Sequence, residues 1–380
     1  MSGTDPVGRA LETAVEEGVF PGAVLAVRLR GRPAYHRAVG RVSSEPPGSP
    51  AQVQTIYDLA SLTKPLATTT SVLWLVQHGR LALDRRLDDL LPELKGSPIG
   101  GATVFHLLTH SSGLPAWRPY YERVAEQDRL TPGFLGSEAA GRAVLGYIRD
   151  EVLLHTVGER SLYSDLGFML LGFIVERLSG QSLATFCREY LFNPLGAEPL
   201  GFATLTDRGI AVGGRVVAEQ NAVAATERDA WRGRVLRGEV HDENAYALGG
   251  AAGHAGLFGT AKAVLAVSGA WLDAYHGRPS LFEPKLVRRF VTRQDRIPQS
   301  SWALGWDTPS VPSSSGSRFS PLSFGHLGYT GTSLWIDPTR ELEVVLLSNR
   351  VHPTRRNTHI QRFRPFIHDL IFYELVAGSQ

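Results

Sequence analysis

Apolar residues recur with two different spacings near the ends of the chain. Val7, Leu11 and Val15 follow the three-to-four-residue spacing of an amphipathic helix, which predicts a helix over residues 7–18. Short apolar runs bounded by turn residues predict strands instead. The predicted strands cover residues 23–29, 33–39, 322–327, 332–337 and 342–348, and a terminal helix covers residues 360–376. Strands at both chain ends predict one antiparallel sheet built from both termini.

The middle of the chain has a mostly helical pattern instead. Apolar segments of helical length cover residues 66–76, 166–179 and 183–192. Residues 201–260 are rich in glycine, alanine and polar residues, and this pattern indicates long ordered loops, which tend to carry function. The predicted fold class is therefore α+β, with an antiparallel sheet flanked by helices and a mostly helical domain inserted.

The length of 380 residues suits two intertwined lobes. We expect residues 1–64 and 306–380 to form an α/β sheet domain. Residues 65–305 are expected to form the mostly helical domain. The active site is expected in the cleft between the two domains.

Composition narrows the possible partners. The net charge is +2, so no polyanion is implied, and we expect no nucleic-acid partner. The densest basic run, residues 350–364, is interpreted as a solvated surface loop and helix start, because no nucleic-acid module surrounds it. The single cysteine, Cys187, excludes an internal disulfide and fits a small core residue in a helical pattern.

The N-terminal segment has neither a basic stretch nor an apolar stretch of a secretory signal. A cytoplasmic location is therefore the default prediction, with a periplasmic or secreted location as the alternative if a leader has been removed. The longest apolar run, residues 166–175, is too short to span a bilayer, so no membrane span is predicted.

The chain has four lysines, and only Lys64 has a serine three residues before it, in Ser61-Leu62-Thr63-Lys64. This spacing places Ser61 and Lys64 on neighbouring turns of one helix face. A serine hydroxyl becomes a good nucleophile when a base takes its proton. Burial and a helix N-terminus would lower the pKa of Lys64 and make its amine such a base. One such tetrapeptide is weak evidence by itself.

Two later segments strengthen the prediction. Tyr163-Ser164-Asp165 precedes the apolar segment 166–179, and His326-Leu327-Gly328 lies on a predicted strand. Their order after S-x-x-K resembles the signature of serine β-lactamases and penicillin-binding proteins. Within that superfamily the chain resembles the class C β-lactamase-like branch of esterases and D-aminopeptidases, in which Y-x-N and H-x-G variants occur. The resemblance covers nearly the whole chain and implies a β-lactamase/transpeptidase-like fold.

The resemblance implies a serine hydrolase that forms an acyl-enzyme and uses no cofactor. Ser61 would attack a carbonyl of a small-molecule acyl substrate, and Lys64 and Tyr163 would share the proton transfers. Two nearby cations would lower the pKa of Tyr163 and make it a usable base. The oxyanion would lie between the backbone N–H groups of Ser61 and Tyr329.

Substrate contacts are expected from the remaining motif positions and from a polar cluster. Their predicted members are Asp165, His326, Gly328, His241 and Asn244. Position 165 holds a carboxylate where the family commonly has an amide, and a carboxylate only accepts hydrogen bonds. Leu327 replaces a threonine, and His326 weakens fixed positive charge at neutral pH. These departures favour a less anionic ester or small amide over penicillins.

Alternatives remain open. An acyltransferase or a D-amino-acid peptidase would use the same chemistry. A different class is a non-catalytic protein that binds peptidoglycan fragments, although Ser61, Lys64 and Tyr163 are all present. His106 and His110 have the spacing of zinc ligands but lack the H-E-x-x-H glutamate, so we expect packing and loop hydrogen bonding and no metal. A monomer or weak homodimer is expected.

Overall fold

The computed structural model describes residues 5–46, 48–206, 209–217 and 222–377. The strands are β1 (Gly22–Leu29), β2 (Arg32–Gly40), β3 (Tyr57–Asp58), β4 (Leu200–Thr206), β5 (Gly209–Val212), β6 (Arg215–Val217), β7 (Arg228–Asp229), β8 (Arg234–Val235), β9 (Leu257–Gly259), β10 (Phe324–Leu327), β11 (Ser333–Asp337) and β12 (Leu342–Ser348). The helices are α1 (Pro6–Glu16), α2 (Thr70–Gln77), α3 (Leu87–Leu90), α4 (Val104–Leu108), α5 (Tyr120–Leu130), α6 (Glu138–Arg149), α7 (Asp165–Ser179), α8 (Leu183–Cys187), α9 (Glu243–Ala247), α10 (Ala261–Tyr275), α11 (Pro284–Val291) and α12 (Ile360–Ile371).

The main sheet contains five strands in the order β10-β11-β12-β1-β2. All neighbouring strands are antiparallel, and the central pair places Val27 of β1 opposite Val344 of β12. The chain enters the sheet through a hairpin near its start and returns near its end. The predicted antiparallel sheet built from both termini is therefore confirmed.

Helices cover both faces of this sheet because β1 is apolar on both sides. Leu25 and Val27 pack in a core with side chains of α1 and α12. Val24 and Ala26 point to the opposite face, since successive strand residues alternate, and they join the larger core that includes α2, α7 and α10. Each fully buried leucine or valine contributes about 1.5–3 kcal/mol relative to its exposed state.

The prediction of long ordered loops over residues 201–260 is wrong in part. Short strands in this region join β3 in a second sheet with the order β3-β9-β4-β5-β6, and β7 and β8 form a separate pair. β3 pairs with β9, so Tyr57 lies opposite Gly259. This pairing ties the segment before Ser61 to the middle of the chain, and the division into two domains stays a prediction.

Three elements carry the motif residues. Ser61 lies in a short 3-10 turn, Ala60–Leu62, which continues into a π-helical segment, Lys64–Thr69, and then α2. β10, at the edge of the main sheet, carries His326. The N-terminus of α7 carries Asp165, and the preceding Ser164 caps this helix by accepting a hydrogen bond from the Gly167 N–H.

Among the described residues, no helix has both the length and the apolar character needed to cross a membrane.

Candidate active site

The backbone turn that holds Ser61 is strained and anchored by a carboxylate. Ala60 has a φ of 48°, a left-handed conformation that costs a non-glycine residue about 1–2 kcal/mol. The buried Asp58 side chain fixes this turn, because its Oδ1 accepts from the Ala60 N–H at 2.8 Å. Its Oδ2 accepts from the His241 N–H at 2.7 Å. Ser61 therefore lies on a turn whose backbone is fixed by these hydrogen bonds.

Lys64 contacts the nucleophile directly. Its Nζ donates to Ser61 Oγ at 2.9 Å and to the His254 carbonyl oxygen at 3.1 Å. The same Nζ lies 2.7 Å from Asp165 Oδ1, and the lysine side chain is fully buried. The structure thus brings Ser61 and Lys64 of the first motif together with Asp165 of the second motif.

The predicted lowering of the Lys64 pKa is wrong. Burial does act to lower it, but the opposing charge of Asp165 and the Tyr163 hydroxyl outweigh burial and raise the pKa of Lys64. The resting lysine is therefore an ammonium group. It cannot take the serine proton until it has itself lost one.

Tyr163 completes the cluster around the nucleophile. Its ring centroid lies 4.8 Å from Lys64 Nζ, and its hydroxyl group interacts with the side chains of Lys64 and Ser61. Burial raises the pKa of Tyr163 more than Lys64 lowers it, and Asp165 adds to the rise. The predicted lowering of the tyrosine pKa by two nearby cations is also wrong. The resting site holds a neutral phenol.

His326 carries no positive charge at neutral pH, in line with the weakened charge expected at this position. Burial, followed by the nearby cations Lys64 and Arg364, lowers the pKa of His326 to about 3. Its Nδ1–H donates to the Leu327 carbonyl oxygen at 2.8 Å, and its ring lies 6.0 Å from that of Tyr163. The ring is buried behind Tyr163, so its predicted direct contact with substrate is not supported.

A cavity of about 640 Å³ opens beside the nucleophile. Its walls include residues from every motif and from the C-terminal part of the chain: Ala60, Ser61, Ala116, Trp117, Tyr163, Asp165, His241, Asp242, Glu243, Ala255, Leu327, Gly328, Tyr329, Arg350, Arg355, Ile360, Gln361 and Arg364. Of the predicted substrate contacts, Asp165, Gly328 and His241 lie in these walls. Its volume suits a small-molecule ligand.

The turn after β10 is held against the segment before Ser61. The hydroxyl groups of Thr330 and Thr332 donate to the carbonyl oxygens of Asp58 and Leu59 at 2.8 and 3.0 Å. A side chain at Gly328 would place its Cβ 2.6 Å from the Leu59 oxygen, so only glycine fits this contact. Ser61 and Tyr329, the predicted oxyanion residues, consequently share one cavity.

The prediction that Asn244 lines the substrate pocket is wrong. Its side-chain Oδ1 accepts from the Tyr121 N–H at 2.9 Å, and its Nδ2 donates to the Arg118 carbonyl oxygen at 2.8 Å. Asn244 therefore braces the first turn of α5 and the loop before it. By contrast, His241 lies in the cavity wall, where its Nε2 is 2.9 Å from Glu227 Oε2.

The interpretation of residues 350–364 as a solvated surface run is wrong for part of that run. Arg350, Arg355 and Arg364 line the cavity, whereas Arg356 and Arg362 are exposed. A sequence signal existed for Arg364. It shares the apolar face of α12 with buried Ile360 and Ile367, at helical spacing, where a charged residue is unusual.

His110 holds the loop that carries Tyr163 through a hydrogen bond and ring packing, the kinds of contact expected for it from the sequence. Its Nδ1 accepts from the Ser164 N–H at 3.0 Å, and its ring lies 4.6 Å from the Tyr163 ring. Burial, with Lys64 and His326 nearby, lowers the pKa of His110 well below its usual value, which keeps Nδ1 free to accept.

Two acidic residues near the nucleophile have basic partners of their own. Asp242 Oδ1 lies 2.8 Å from His254 Nε2, and His254 also supplies the carbonyl oxygen that accepts from Lys64. Glu243 Oε1 lies 2.7 Å from an Nη atom of Arg355. Within the described residues, histidine, cysteine and acidic side chains form no group that could hold a metal ion.

Known proteins resemble the chain over most of its length. The family described as Beta-lactamase matches residues 7–364. A protein of Escherichia coli (strain K12) named "Putative D-alanyl-D-alanine carboxypeptidase" is 34% identical over 324 residues, which cover 80% of this chain and 70% of that protein. The N-acetylmuramyl-L-alanine amidase of Bacillus subtilis (strain 168) is 33% identical over 377 residues, which cover 91% of this chain and 80% of that protein.

Solved structures support the fold independently. Simvastatin synthase (LovD) from Aspergillus terreus, unliganded, aligns with a TM-score of 0.72 at 21% identity, covering 99% of this chain and all of that chain. At such identity the likeness supports the fold alone, which is the predicted β-lactamase/transpeptidase-like fold. The curated relatives and the ordered motifs together indicate an enzyme of the serine hydrolase kind. The chain belongs to the Beta-lactamase family.

Proposed function

We propose that the protein hydrolyses a carboxylic ester or a small amide through an acyl-Ser61 intermediate, with penicillins as poorer substrates. The observation that carries the proposal is the cluster at the cavity wall. Ser61 Oγ lies 2.9 Å from Lys64 Nζ, and Tyr163 and Asp165 complete the group. A nucleophile, proton-transfer groups and a substrate-sized cavity thus meet at one place.

The first chemical step follows from the contacts of Ser61. Oγ attacks the substrate carbonyl as its proton passes into the group formed by Lys64 and Tyr163. Because both side chains hold their protons at rest, substrate binding or a proton loss from this group must first create the base. The N–H groups of Ser61 and Tyr329 stabilise the oxyanion, and the same cluster returns a proton to the leaving group.

The second step releases the acyl group. Water attacks the acyl carbon, its proton enters the cluster, and Ser61 Oγ regains a proton as the ester bond breaks. This step reuses the groups of the first step in reverse order, as general acid–base catalysis allows. An acceptor other than water would make the reaction an acyl transfer on the same site.

The preference against penicillins rests on Asp165. Its carboxylate is engaged with Lys64 at 2.7 Å and has no hydrogen to donate to a substrate. The family's usual amide at this position could donate. An ester or small amide needs fewer such contacts with the acyl side chain.

A second candidate function is a peptidase or amidase acting on cell-wall fragments. The two curated relatives carry names of that kind, and the cavity contains buried arginines that suit an acidic substrate. The same acyl-Ser61 chemistry would then cleave an amide bond.

The test compares kcat/KM for p-nitrophenyl butyrate, nitrocefin and N-acetyl-D-alanyl-D-alanine. We expect one of the two non-lactam substrates to exceed nitrocefin by about tenfold or more. The Ser61→Ala variant should lose activity on the order of 10³-fold or more, since the nucleophile is gone. A lactam preference of orders of magnitude would sink the proposal, as would full activity in Ser61→Ala.

A further inference from the structure

His241 lies between the turn of the nucleophile and the predicted oxyanion residue. Its backbone N–H donates to Asp58 Oδ2 at 2.7 Å, and Oδ1 of the same carboxylate accepts from the Ala60 N–H at 2.8 Å. One side chain thus joins His241 to the residue before Ser61. The imidazole ring also stacks on the Tyr329 ring, with centroids 5.9 Å apart and 26° between the planes. His241 therefore forms the cavity wall beside both groups that act on the acyl carbon.

The Glu227 carboxylate fixes which nitrogen of this ring carries the hydrogen. Nε2 of His241 lies 2.9 Å from Glu227 Oε2. Arg355 donates to both oxygens of Glu227, through its backbone N–H at 2.9 Å and through its Nε. Burial acts to raise the pKa of Glu227, but the hydrogen bonds from His241 and Arg355 outweigh burial and lower this pKa to about 2. An ionised carboxylate only accepts, so Nε2 holds the hydrogen and Nδ1 of the neutral ring holds the lone pair.

The lone pair on Nδ1 is available to a molecule in the cavity. Within the described residues Nδ1 has no hydrogen-bond partner, and the protein does not enclose it. The unpartnered ring nitrogens of His110 and His326 are, by contrast, both buried. Because a general base must reach the proton that it removes, His241 has the required access to a water molecule beside Ser61.

A structural role does not account for the imidazole of His241. The contact with Asp58 is made by the backbone N–H, which every residue except proline supplies. Glu227 needs no second partner, because Arg355 already donates to both of its oxygens. The hydrogen bond at Nε2 instead orients the ring, as a carboxylate does for the histidine of a serine–histidine–carboxylate triad.

The resting site needs such a base. Lys64 is an ammonium group and Tyr163 is a neutral phenol, so neither accepts a proton from water until it has lost its own. His241 holds a lone pair without any earlier proton loss. The ionised Glu227 also stabilises the imidazolium that forms when His241 gains a proton.

We propose that His241 accepts the first proton of the water that releases the acyl group from Ser61, and that Glu227 is its positioning residue. The water oxygen bonds to the acyl carbon as one water hydrogen moves to His241 Nδ1. The tetrahedral intermediate then expels Ser61 Oγ, which takes a proton from Lys64 Nζ at 2.9 Å. The imidazolium returns its proton through solvent to Lys64, which restores the resting enzyme. The inference rests on the proposed acyl-Ser61 pathway and names the group that starts its second step.

Separate measurement of acylation and deacylation tests this assignment. Release of p-nitrophenol from p-nitrophenyl butyrate in rapid mixing gives the acylation rate, and intact-protein mass spectrometry follows the acyl-enzyme. In His241→Gln we expect acylation to stay within about threefold and deacylation to fall by about 10²-fold or more, so that the acyl-enzyme accumulates. Glu227→Gln should show the same division between the two rates. The control His359→Gln, which replaces an exposed histidine, should keep both rates.

Two variants are needed because the His241 ring also packs against Tyr329, and a retained acylation rate shows that the site is folded. Unchanged deacylation in either variant would overturn the proposal. An equal fall in acylation and deacylation would also overturn it, since that pattern indicates a structural contribution. Failure of the proposed function gives a different result, because the unsubstituted enzyme would then form no acyl-Ser61 at all.

Discussion

Lys64 is held as a cation with the help of Asp165, one of the motif positions at which this chain departs from the expected pattern. Asp165 contributes a carboxylate 2.7 Å from Lys64 Nζ, and its charge, together with the Tyr163 hydroxyl, outweighs the effect of burial on the lysine pKa. The order of the motifs along the chain is enough to group Ser61, Lys64 and Tyr163. Their protonation states could not be predicted in the same way, because those depend on neighbours in space rather than on sequence spacing.

We predict that Asp165→Asn moves the rising limb of the pH profile for acylation to lower pH. Asp165 raises the pKa of Lys64 and of Tyr163, so its removal lowers both. Each group must lose a proton to act as a base, and a lower pKa makes the base form available at lower pH. Single-turnover acylation rates between pH 5 and pH 10 measure this shift.

The matched control for this experiment is Asp150→Asn, which removes an exposed carboxylate at the end of α6. Its pH profile should match that of the unsubstituted enzyme. An unchanged limb in Asp165→Asn, or a shift to higher pH, would show that the carboxylate does not control the base.

At the scale of elements, the spacing of apolar residues predicted the secondary structure of long segments but not that of short ones. The apolar spacing over 166–179 corresponds to α7, and the strand pattern at 342–348 corresponds to β12. The strands between residues 200 and 259 are mostly two to four residues long, too short to give a clear alternation. Their pairing is decided by tertiary contacts, such as β3 against β9.

We predict that Gly328→Ala separates the turn after β10 from the segment that carries Ser61. The new Cβ would lie 1.9 Å from Thr332 Oγ1 and 2.6 Å from the Leu59 carbonyl oxygen. Either the turn after β10 or the segment that carries Ser61 must therefore move. Displacement of Tyr329 from the oxyanion position should reduce kcat by about 10²-fold or more. Steady-state kinetics on the best substrate of the panel measures the loss.

Gly146→Ala is the control, because an added Cβ at this position in α6 meets no atom within 4 Å. That variant should keep full activity and gain stability of up to about 1 kcal/mol, since alanine favours a helix. Full activity in Gly328→Ala would contradict the role assigned to the turn.

At the scale of the whole molecule, the cavity joins parts of the chain that are far apart in sequence. The turn at Ser61, the start of α7, the end of β10 and the segment 350–364 all contribute to its wall. The order of motifs predicted the first three parts. The fourth part was missed because a run of arginines is typical of an exposed surface segment. Arg350 and Arg364 are buried by the packing of α12 and the loop before it, which the sequence does not reveal.

The central claim is that the residues of this cavity catalyse the acylation of Ser61. The most direct test is intact-protein and peptide mass spectrometry after brief exposure to p-nitrophenyl butyrate or a fluorophosphonate. We expect one adduct, located on the peptide that contains Ser61 and absent from Ser61→Ala. An unmodified Ser61 in folded protein, or an adduct of equal yield in Ser61→Ala, would contradict this claim.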